Sequence, residues 1–364
     1  MINNIIIQRE QKTTKESCNS PTQDKTNVST MEKNDFSNKK NLVSMVNKQN
    51  PDFLEKFEIL EYLNSGSAGK VYRGMYKGKI GRPVALKFLM KEKRKEKSER
   101  HNQEVTISRK LHHKNITEIF AFFKNEDFDI SVLEYAKHGD IEHFVKDLLK
   151  RYILAETCLC YFAKNILDGL KHIHKNKIVH MDIKPGNILI DSNLEAKITD
   201  FSVSCQYNTF HPEDLVKYPL AGTGKFMSPE ILSKAHMKIK DAEKIDIYSF
   251  GVTLYYLFYG QYPYKLNNVK GKNYEEILKN INNEELEFPK ERKISNLFKD
   301  FLSKTLEKNY LKRISIDEAL EHPWIKGSKF IFDEKEKLCC QENFLIKLIT
   351  DSIPEFNEYI NINQ

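Results

Sequence analysis

The sequence lacks the features that mark secreted, zinc-binding and membrane-spanning proteins. No apolar run approaches membrane-spanning length. The opening apolar run stops at Gln8 and Arg9, too early for a signal-peptide core, and Ile2 excludes N-myristoylation. The cysteines form no C-x-x-C pair, which disfavours zinc and predicts a reduced, cytoplasmic setting, with the nucleus as an open alternative. They are Cys18, Cys158, Cys160, Cys205, Cys339 and Cys340.

The charge balance points to no special partner. The chain of 364 residues has a net charge of +7 and a pI near 8.8, and its lysines are spread along the whole sequence. Hydrophobic residues make up 40% and charged residues 30%, as in soluble globular proteins with polar extensions. We therefore expect no nucleic-acid or membrane partner, and either one large two-lobed domain or two smaller ones. Nothing in the sequence indicates an oligomeric state.

The two ends of the chain differ in composition from its middle. Residues 1–50 are rich in Lys, Asn, Ser, Thr and Gln, a composition that cannot bury a core. We expect these residues to be disordered and dispensable for catalysis. The tail, residues 327–364, has apolar residues at roughly helical spacing and more acids than bases. It predicts one packed helix, with a pseudosubstrate or calmodulin-binding segment as the less favoured alternative.

One stretch places an acid, a base and an amide between two apolar runs. These polar residues are Asp182, Lys184 and Asn187. An acid can orient a hydroxyl or take its proton, a lysine can neutralise phosphate charge, and an amide oxygen can bind magnesium. The spacing therefore predicts a loop between buried strands that is suited to phosphoryl transfer. Asp200, which ends a short alternating strand downstream, is suited to hold a metal.

These two stretches resemble the protein-kinase catalytic loop and metal-binding motif, H-R-D-x-x-x-x-N and D-F-G. We call residues 180–187 the catalytic loop. Two positions depart from the family pattern, because Met181 replaces the arginine and Ser202 replaces the glycine. The resemblance implies that Asn187 and Asp200 bind Mg²⁺.

A small-residue turn upstream resembles the kinase glycine-rich loop. Residues 64–74 read N-S-G-S-A-G-K-V-Y-R-G, with Gly66 and Gly69 as the second and third glycines and Asn64 in place of the first. Small residues allow backbone N–H groups to approach phosphate closely. A plain β-hairpin turn is the alternative interpretation.

A buried strand over residues 83–89 contains a single lysine, Lys87. A lysine that snorkels from a strand edge is one interpretation. The resemblance to the V-A-I-K motif implies instead that Lys87 binds the α- and β-phosphates of ATP. A buried lysine needs a partner charge, and Glu104 on the following helix stands at the family's spacing for that ion pair.

Residues 129–140 resemble the hinge between the two lobes of a kinase, with an ordinary strand-to-helix turn as the alternative. The resemblance implies that the backbone of Glu134 and Ala136 binds adenine. Leu133 would lie at the back of the pocket, and Asp140 would reach the ribose. The remaining implied nucleotide contacts are Leu63, Val71, Ala85 and Leu189.

Further motifs follow in family order. Residues 200–230, here called the activation segment, end in A-G-T-G-K-F-M-S-P-E, and Thr223 together with Lys184 resembles serine/threonine kinases. Asp246 matches the acid that braces the catalytic loop, and Arg313 would pair with Glu230. The ordered set over roughly residues 57–326 identifies the chain as a member of the eukaryotic protein-kinase family.

Membership implies an α+β, bilobal fold over residues 51–326. The small β-rich N-lobe would cover about residues 53–135 and the mainly helical C-lobe about 136–326. ATP and Mg²⁺ would bind between the lobes, Asp182 would orient the hydroxyl of a protein Ser or Thr, and Lys184 would stabilise the transferring group. A pseudokinase is an alternative that the complete catalytic set disfavours, and a small-molecule kinase is disfavoured by the intact segment 223–230.

The activation segment lacks both parts of the usual phosphate switch. Phosphate there acts by pairing with the arginine that Met181 replaces. Counting back from Glu230 by the family's spacing reaches Pro219, which cannot be phosphorylated. We therefore expect activity without phosphorylation of this segment. The alternative is that Ser204, Thr209 or Tyr218 carries the phosphate.

Overall fold

An antiparallel sheet of five strands forms the N-terminal half of the protein. The structure, a computed structural model, describes residues 39–66, 69–78, 81–90, 95–151, 156–207, 211–292 and 294–326. The order across the sheet is β1-β2-β3-β5-β4, which places β3 and its Lys87 at the centre. The strands are β1 (Phe57–Gly66), β2 (Gly69–Tyr76), β3 (Arg82–Met90), β4 (Ile119–Lys124) and β5 (Phe128–Glu134).

Alternation along β3 gives the sheet two different faces. Val84, Leu86 and Phe88 are at most 2% exposed and lie in one apolar core. Ala85 and Lys87 lie on the other face. The register pairs Lys87 with Val71 and Ala85 with Leu133, so the nucleotide contacts predicted on these strands share that second face.

Two helices, α1 (Lys39–Gln49) and α2 (Pro51–Lys56), precede the sheet. Helix α1 buries Leu42 and Val46, one helical turn apart, in the same core as β3. Phe53 of α2 is fully buried, and its ring lies 5.0 Å from that of Phe57 and 5.2 Å from that of Phe123. The two helices therefore cover the face of the sheet that is turned away from Lys87.

Residues 1–50 were expected to lack structure, but residues 39–49 of this range form helix α1. Its composition is polar, but the sheet supplies most of the apolar surface against which Leu42 and Val46 pack. Tertiary packing of one apolar stripe is what stabilises most helices in proteins, and composition averaged over 50 residues does not report it. Residues 1–38 and the predicted helix in 327–364 lie outside the described residues, and the domain boundaries stay a prediction.

The C-terminal half is mainly helical, as the α+β prediction required, and that prediction is confirmed. Helix α7 (Lys244–Tyr259) is almost completely buried and lies within the large core. In the described parts of the chain, no helix has both the length and the apolar character needed to cross a bilayer. After α3 (Lys95–Ser108), the helices are α4 (Ile141–Arg151), α5 (Glu156–Lys175), α6 (Pro229–Leu232), α7 (Lys244–Tyr259), α8 (Tyr274–Asn283), α9 (Asn296–Thr305) and α10 (Ile316–Glu321).

Short strands in this half pair in three antiparallel ribbons. β6 (Ile178–Val179) pairs with β9 (Cys205–Gln206), and β7 (Ile188–Ile190) pairs with β8 (Ala196–Ile198). β10 (Leu215–Lys217) pairs with β11 (His236–Lys238). The first two ribbons frame the catalytic loop, and the third holds part of the activation segment.

We predict that α1 stabilises the N-lobe. Leu42→Ala should lower the free energy of unfolding by about 3 kcal/mol, because it removes a fully buried side chain and leaves a cavity. Ser44→Ala, on the exposed side of the same helix, should change it by less than about 0.5 kcal/mol. Urea unfolding monitored by circular dichroism measures both, and equal effects of the two substitutions would show that α1 does not pack on the sheet.

Candidate active site

Lys87 joins three segments of the chain. Its Nζ lies 2.5 Å from Oε1 of Glu104 on α3 and 3.5 Å from Oδ1 of Asp200, which follows β8. Burial alone would lower the pKa of Lys87, but the two carboxylates outweigh it and raise the pKa to about 12. The lysine is therefore a permanent cation at neutral pH, on the side of the sheet that carries the predicted nucleotide contacts.

Asp200 is the acid of the predicted metal site. Burial would raise its pKa, but the charge of Lys87 and a hydrogen bond from Ser202 outweigh burial and lower the pKa. The Ser202 N–H donates to Asp200 Oδ1 over 3.4 Å. Asp200 has a left-handed backbone with φ of 67°, a conformation that is costly outside glycine and tends to occur at functional sites. Its carboxylate is ionised at neutral pH and can bind a divalent cation.

Asp246 of α7 holds the start of the catalytic loop. Its Oδ2 accepts the His180 N–H at 2.8 Å and lies 2.8 Å from Nε2 of His174. Its Oδ1 accepts the Met181 N–H, also at 2.8 Å. Asp246 is fully buried, which would raise its pKa, but His174 foremost among its neighbours outweighs burial and lowers the pKa. These contacts stabilise a left-handed backbone at Met181, whose φ is 67°.

Two neighbours orient the carboxylate of Asp182. Its Oδ2 accepts hydrogen bonds from Lys184 Nζ at 2.7 Å and from Asn187 Nδ2 at 2.9 Å. Asn187 Nδ2 also donates to the Asp182 carbonyl at 2.9 Å, which leaves the Asn187 amide oxygen as the atom that can bind a cation. Asp182 Oδ1 is buried and has no hydrogen-bond partner among the described residues. A buried acceptor of this kind is suited to a substrate hydroxyl.

The activation segment crosses directly over the catalytic loop at Gly222. The φ of Gly222 is 105°, and a Cβ there would lie 2.5 Å from the Met181 carbonyl oxygen and 3.2 Å from Asp182 Oδ1. Only glycine allows this conformation and this approach. The next residue, Thr223, accepts a hydrogen bond from Lys184 Nζ at 2.7 Å. Lys184 therefore connects Asp182 to the segment that would face a substrate.

A buried ion pair fixes the end of the activation segment. Arg313 donates from Nη1 and Nη2 to the two carboxylate oxygens of Glu230, at 2.7 and 3.0 Å. Its remaining donors are also used, by the carbonyl oxygens of Glu307 at 2.8 Å and of Lys244 at 2.6 Å. A bidentate pair with satisfied donors tolerates burial, so Glu230 has a defined position.

Most of the predicted nucleotide contacts lie around Lys87. Val71, Ala85 and Leu133 are half-buried apolar residues on its face of the sheet. Leu189 of β7 is half-buried as well, and it forms a β-bridge with Asp140 beyond the hinge. Partly exposed apolar side chains around a buried cation suit an adenine nucleotide.

The structure gives the following positions for the remaining predicted nucleotide contacts. Leu63 is 40% exposed on β1. Gly66 pairs with Gly69 at the end of the hairpin, and a Cβ on Gly69 would lie 2.2 Å from the Phe88 carbonyl oxygen. Asp140 caps α4, since its Oδ1 accepts the His143 N–H at 2.9 Å. Glu134 ends β5 and Ala136 is buried just after it.

Lys197 on β8 is a buried cation that the motif analysis missed. Its Nζ lies 3.0 Å from Oε1 of Glu134 and donates to the Lys114 carbonyl oxygen at 2.6 Å. The Asp191 carboxylate is 3.7 Å away. Lys197 therefore ties the hinge to the β7–β8 ribbon. The sequence signal that could have identified Lys197 is a single lysine within a short apolar strand, which is also the signal that identified Lys87.

Comparison with known proteins agrees with this geometry. The chain is 31% identical over 284 residues to serine/threonine-protein kinase TIO of Arabidopsis thaliana, which covers 78% of this chain and 20% of that protein. It is 31% identical over 306 residues to serine/threonine-protein kinase TOS3 of Saccharomyces cerevisiae, with 75% and 53% covered. It is also 31% identical over 303 residues to calcium-dependent protein kinase 4 of Plasmodium berghei, with 81% and 54% covered.

The chain thus spans between a fifth and about half of the length of these relatives. The family model of the protein kinase domain matches residues 57–325, well over half of the chain. The antiparallel sheet in its N-terminal half and its helical C-terminal half agree with the predicted bilobal fold. The chain therefore belongs to the protein kinase family.

Proposed function

We propose that this protein is a serine/threonine protein kinase that transfers the γ-phosphoryl group of ATP to protein hydroxyls. The observation that carries the proposal is the contact of Lys87 with both Glu104 and Asp200, because it assembles the phosphate-binding cation and the metal-binding acid in one place. The names of the relatives support the serine/threonine class.

The residues present fit a magnesium nucleotide. Mg²⁺ prefers oxygen ligands, and the Asn187 amide oxygen and the Asp200 carboxylate are both oriented by hydrogen bonds made by their own side chains. When bound, Mg²⁺ would neutralise charge on the phosphates of ATP. Lys87 would contact the α- and β-phosphates, and its raised pKa keeps it cationic while it does so. Glu104 would set the position of the lysine.

Asp182 would act on the substrate hydroxyl through Oδ1, because Lys184 and Asn187 already occupy Oδ2. The hydroxyl oxygen forms a bond to the γ-phosphorus while the bond to the bridging oxygen breaks and ADP leaves. The hydroxyl proton passes to Asp182. Lys184 would stabilise the transferring group, and its hydrogen bond to Thr223 would keep the substrate-facing segment aligned with Asp182.

We also propose that activity does not require phosphorylation of the activation segment. Met181 is 3% exposed and packs in the apolar core, so it offers no charge to a phosphate. Ser204 is buried and donates to the His180 carbonyl oxygen at 3.1 Å, and Tyr218 is also buried. Thr209 lies outside the described residues. Ser204 and Tyr218 are thus closed to a modifying enzyme in this conformation.

We predict that Asp182→Asn lowers kcat by about 10²–10⁴-fold, because the amide cannot take the hydroxyl proton. Nucleotide binding, measured by thermal shift with Mg²⁺ and ATP, should stay within about threefold, since Asp182 does not hold the nucleotide. Asp317→Asn, at an exposed carboxylate, is the matched control. Unchanged turnover of Asp182→Asn would show that another group receives the proton, and inactivity of the unmodified chain on all protein substrates would favour a pseudokinase.

We predict that Lys87 and Glu104 act as a unit. Lys87→Met and Glu104→Gln should each reduce phosphoryl transfer, and the double variant should be little worse than the worse single variant, because either change breaks the same ion pair. Single-turnover rates of the unmodified chain, the two single variants and the double variant give the coupling free energy between the two residues. Strictly additive losses in the barrier would contradict a functional pair.

We predict that protein made in bacteria and stripped by phosphatase turns over a peptide substrate without a lag. Mass spectrometry of the activation segment must show no phosphate before the assay. The physical reason is that Met181 gives a phosphate nothing to pair with. Stripped enzyme that is inactive, and that recovers only as Ser204, Thr209 or Tyr218 regains phosphate, would overturn this part of the proposal.

A further inference from the structure

Tyr218 is the only buried residue in the stretch 211–220 of the activation segment. Of the other nine residues in that stretch, seven are exposed and two, Val216 and Leu220, are half-buried. The phenol ring itself is 4% exposed and lies within the large core of the C-terminal half. Val216 and Leu220 pack against this core from half-buried positions, so Tyr218 is the one side chain of the stretch that is buried within it.

The ion pairs of the stretch are at the surface. Strand β10 pairs with β11 over three residues. Glu213 lies 2.8 Å from Lys238 Nζ and 2.6 Å from Lys240 Nζ, but its side chain is 61% exposed. Exposed ion pairs contribute little to stability, whereas burial of an aromatic side chain is among the larger favourable contributions a single residue can make. Because Val216 and Leu220 are smaller and only half-buried, the ring of Tyr218 is the strongest attachment of the stretch.

The buried ring lies close to the support of the catalytic loop. Burial raises the pKa of the Tyr218 phenol, and the neighbouring Cys205, Tyr207 and Asp246 raise it further. Asp246 is the residue that binds the Met181 N–H. Four residues after the ring, Gly222 packs against the carbonyl oxygen of Met181. The activation segment thus meets the start of the catalytic loop at Gly222, four residues after the buried ring.

The hydroxyl group of Tyr218 takes no part in this attachment. Its oxygen is buried and has no hydrogen-bond partner among the described residues. A buried hydroxyl without a partner opposes folding. The contribution of Tyr218 must therefore come from its ring.

We propose that the ring of Tyr218 anchors the activation segment against the catalytic loop, as an apolar substitute for a phosphate paired with arginine. Met181, buried in the same core, provides an apolar side chain where the arginine would stand. Tyr218 acts as a positioning residue, because it sets the path of the chain into Gly222 and Thr223, which contact the catalytic loop. This inference rests on the proposed kinase function.

The test compares Tyr218→Ala with Tyr218→Phe in the full chain. Tyr218→Ala should lower kcat/KM for a peptide substrate at least about tenfold while KM for ATP stays within about twofold, since the nucleotide contacts lie elsewhere. Tyr218→Phe keeps the ring and should restore kcat/KM to within about twofold of the unmodified chain. Trypsin should cut after Lys217, an exposed residue, faster in Tyr218→Ala than in Tyr218→Phe.

Tyr255→Ala is the control for a general loss of stability. Tyr255 is 3% exposed in α7, and its hydroxyl donates to the Glu287 carbonyl oxygen, outside the activation segment. Assayed below its melting temperature, this variant should keep kcat/KM within about twofold of the unmodified chain. If Tyr218→Ala does not fold, Tyr218→Leu replaces it and should show a smaller loss of the same kind.

The outcomes separate the anchor from the kinase function. An unmodified chain without activity contradicts the proposed function, and the trypsin comparison then still tests the anchor. An active chain whose Tyr218→Ala variant is equally active and equally resistant to trypsin overturns the anchor alone. Loss of activity in Tyr218→Phe also overturns it, because the hydroxyl, and with it a modification of that hydroxyl, would then be required.

Discussion

The buried carboxylate of Asp246 is the contact on which the geometry of the site depends. It accepts two consecutive backbone N–H groups, from His180 and Met181, and it is paired with His174. A charge at this depth is tolerated only because each oxygen has donors at hydrogen-bond distance. As a result, the catalytic loop starts at a fixed point, where Met181 has a left-handed backbone. The position of Asp182 therefore depends on α7 and not on the loop alone.

Lysines connect the N-terminal sheet to the rest of the site. Lys87 reaches from β3 to Glu104 on α3 and to Asp200, and Lys197 reaches from β8 to Glu134 at the hinge. Both are buried cations held by carboxylates that belong to other segments. Each cation would be costly to bury alone, so each favours the arrangement in which its partners are present. The position of the sheet face that carries Lys87 relative to the catalytic loop therefore depends on electrostatic contacts as well as on packing.

The activation segment is held in a different way. Its end is fixed by the ion pair of Glu230 with Arg313, its middle by Tyr218, and its contact with the loop by Gly222. Where the family motif has an arginine, this chain has Met181 within an apolar core. Apolar burial is insensitive to the presence of a phosphate, whereas a charge pair can be made or removed. An apolar attachment in place of a phosphate–arginine pair is consistent with an activation segment that is ordered without phosphorylation.

The sequence by itself determined the family and the two-part α+β fold, and it predicted the candidate site residues, because the chemistry of phosphoryl transfer requires particular side chains at short, fixed spacings. Asp182, Lys184 and Asn187 lie in one loop, so their proximity could be read locally. What only the tertiary structure decided involves residues distant along the chain. Helix α1 appeared polar and unstructured until the sheet supplied a partner for Leu42 and Val46. The motifs did not single out Lys197, and they left Tyr218 as a possible phosphate acceptor. The fold buries both, and burial is a property of the neighbours that the fold brings together and not of the residue itself.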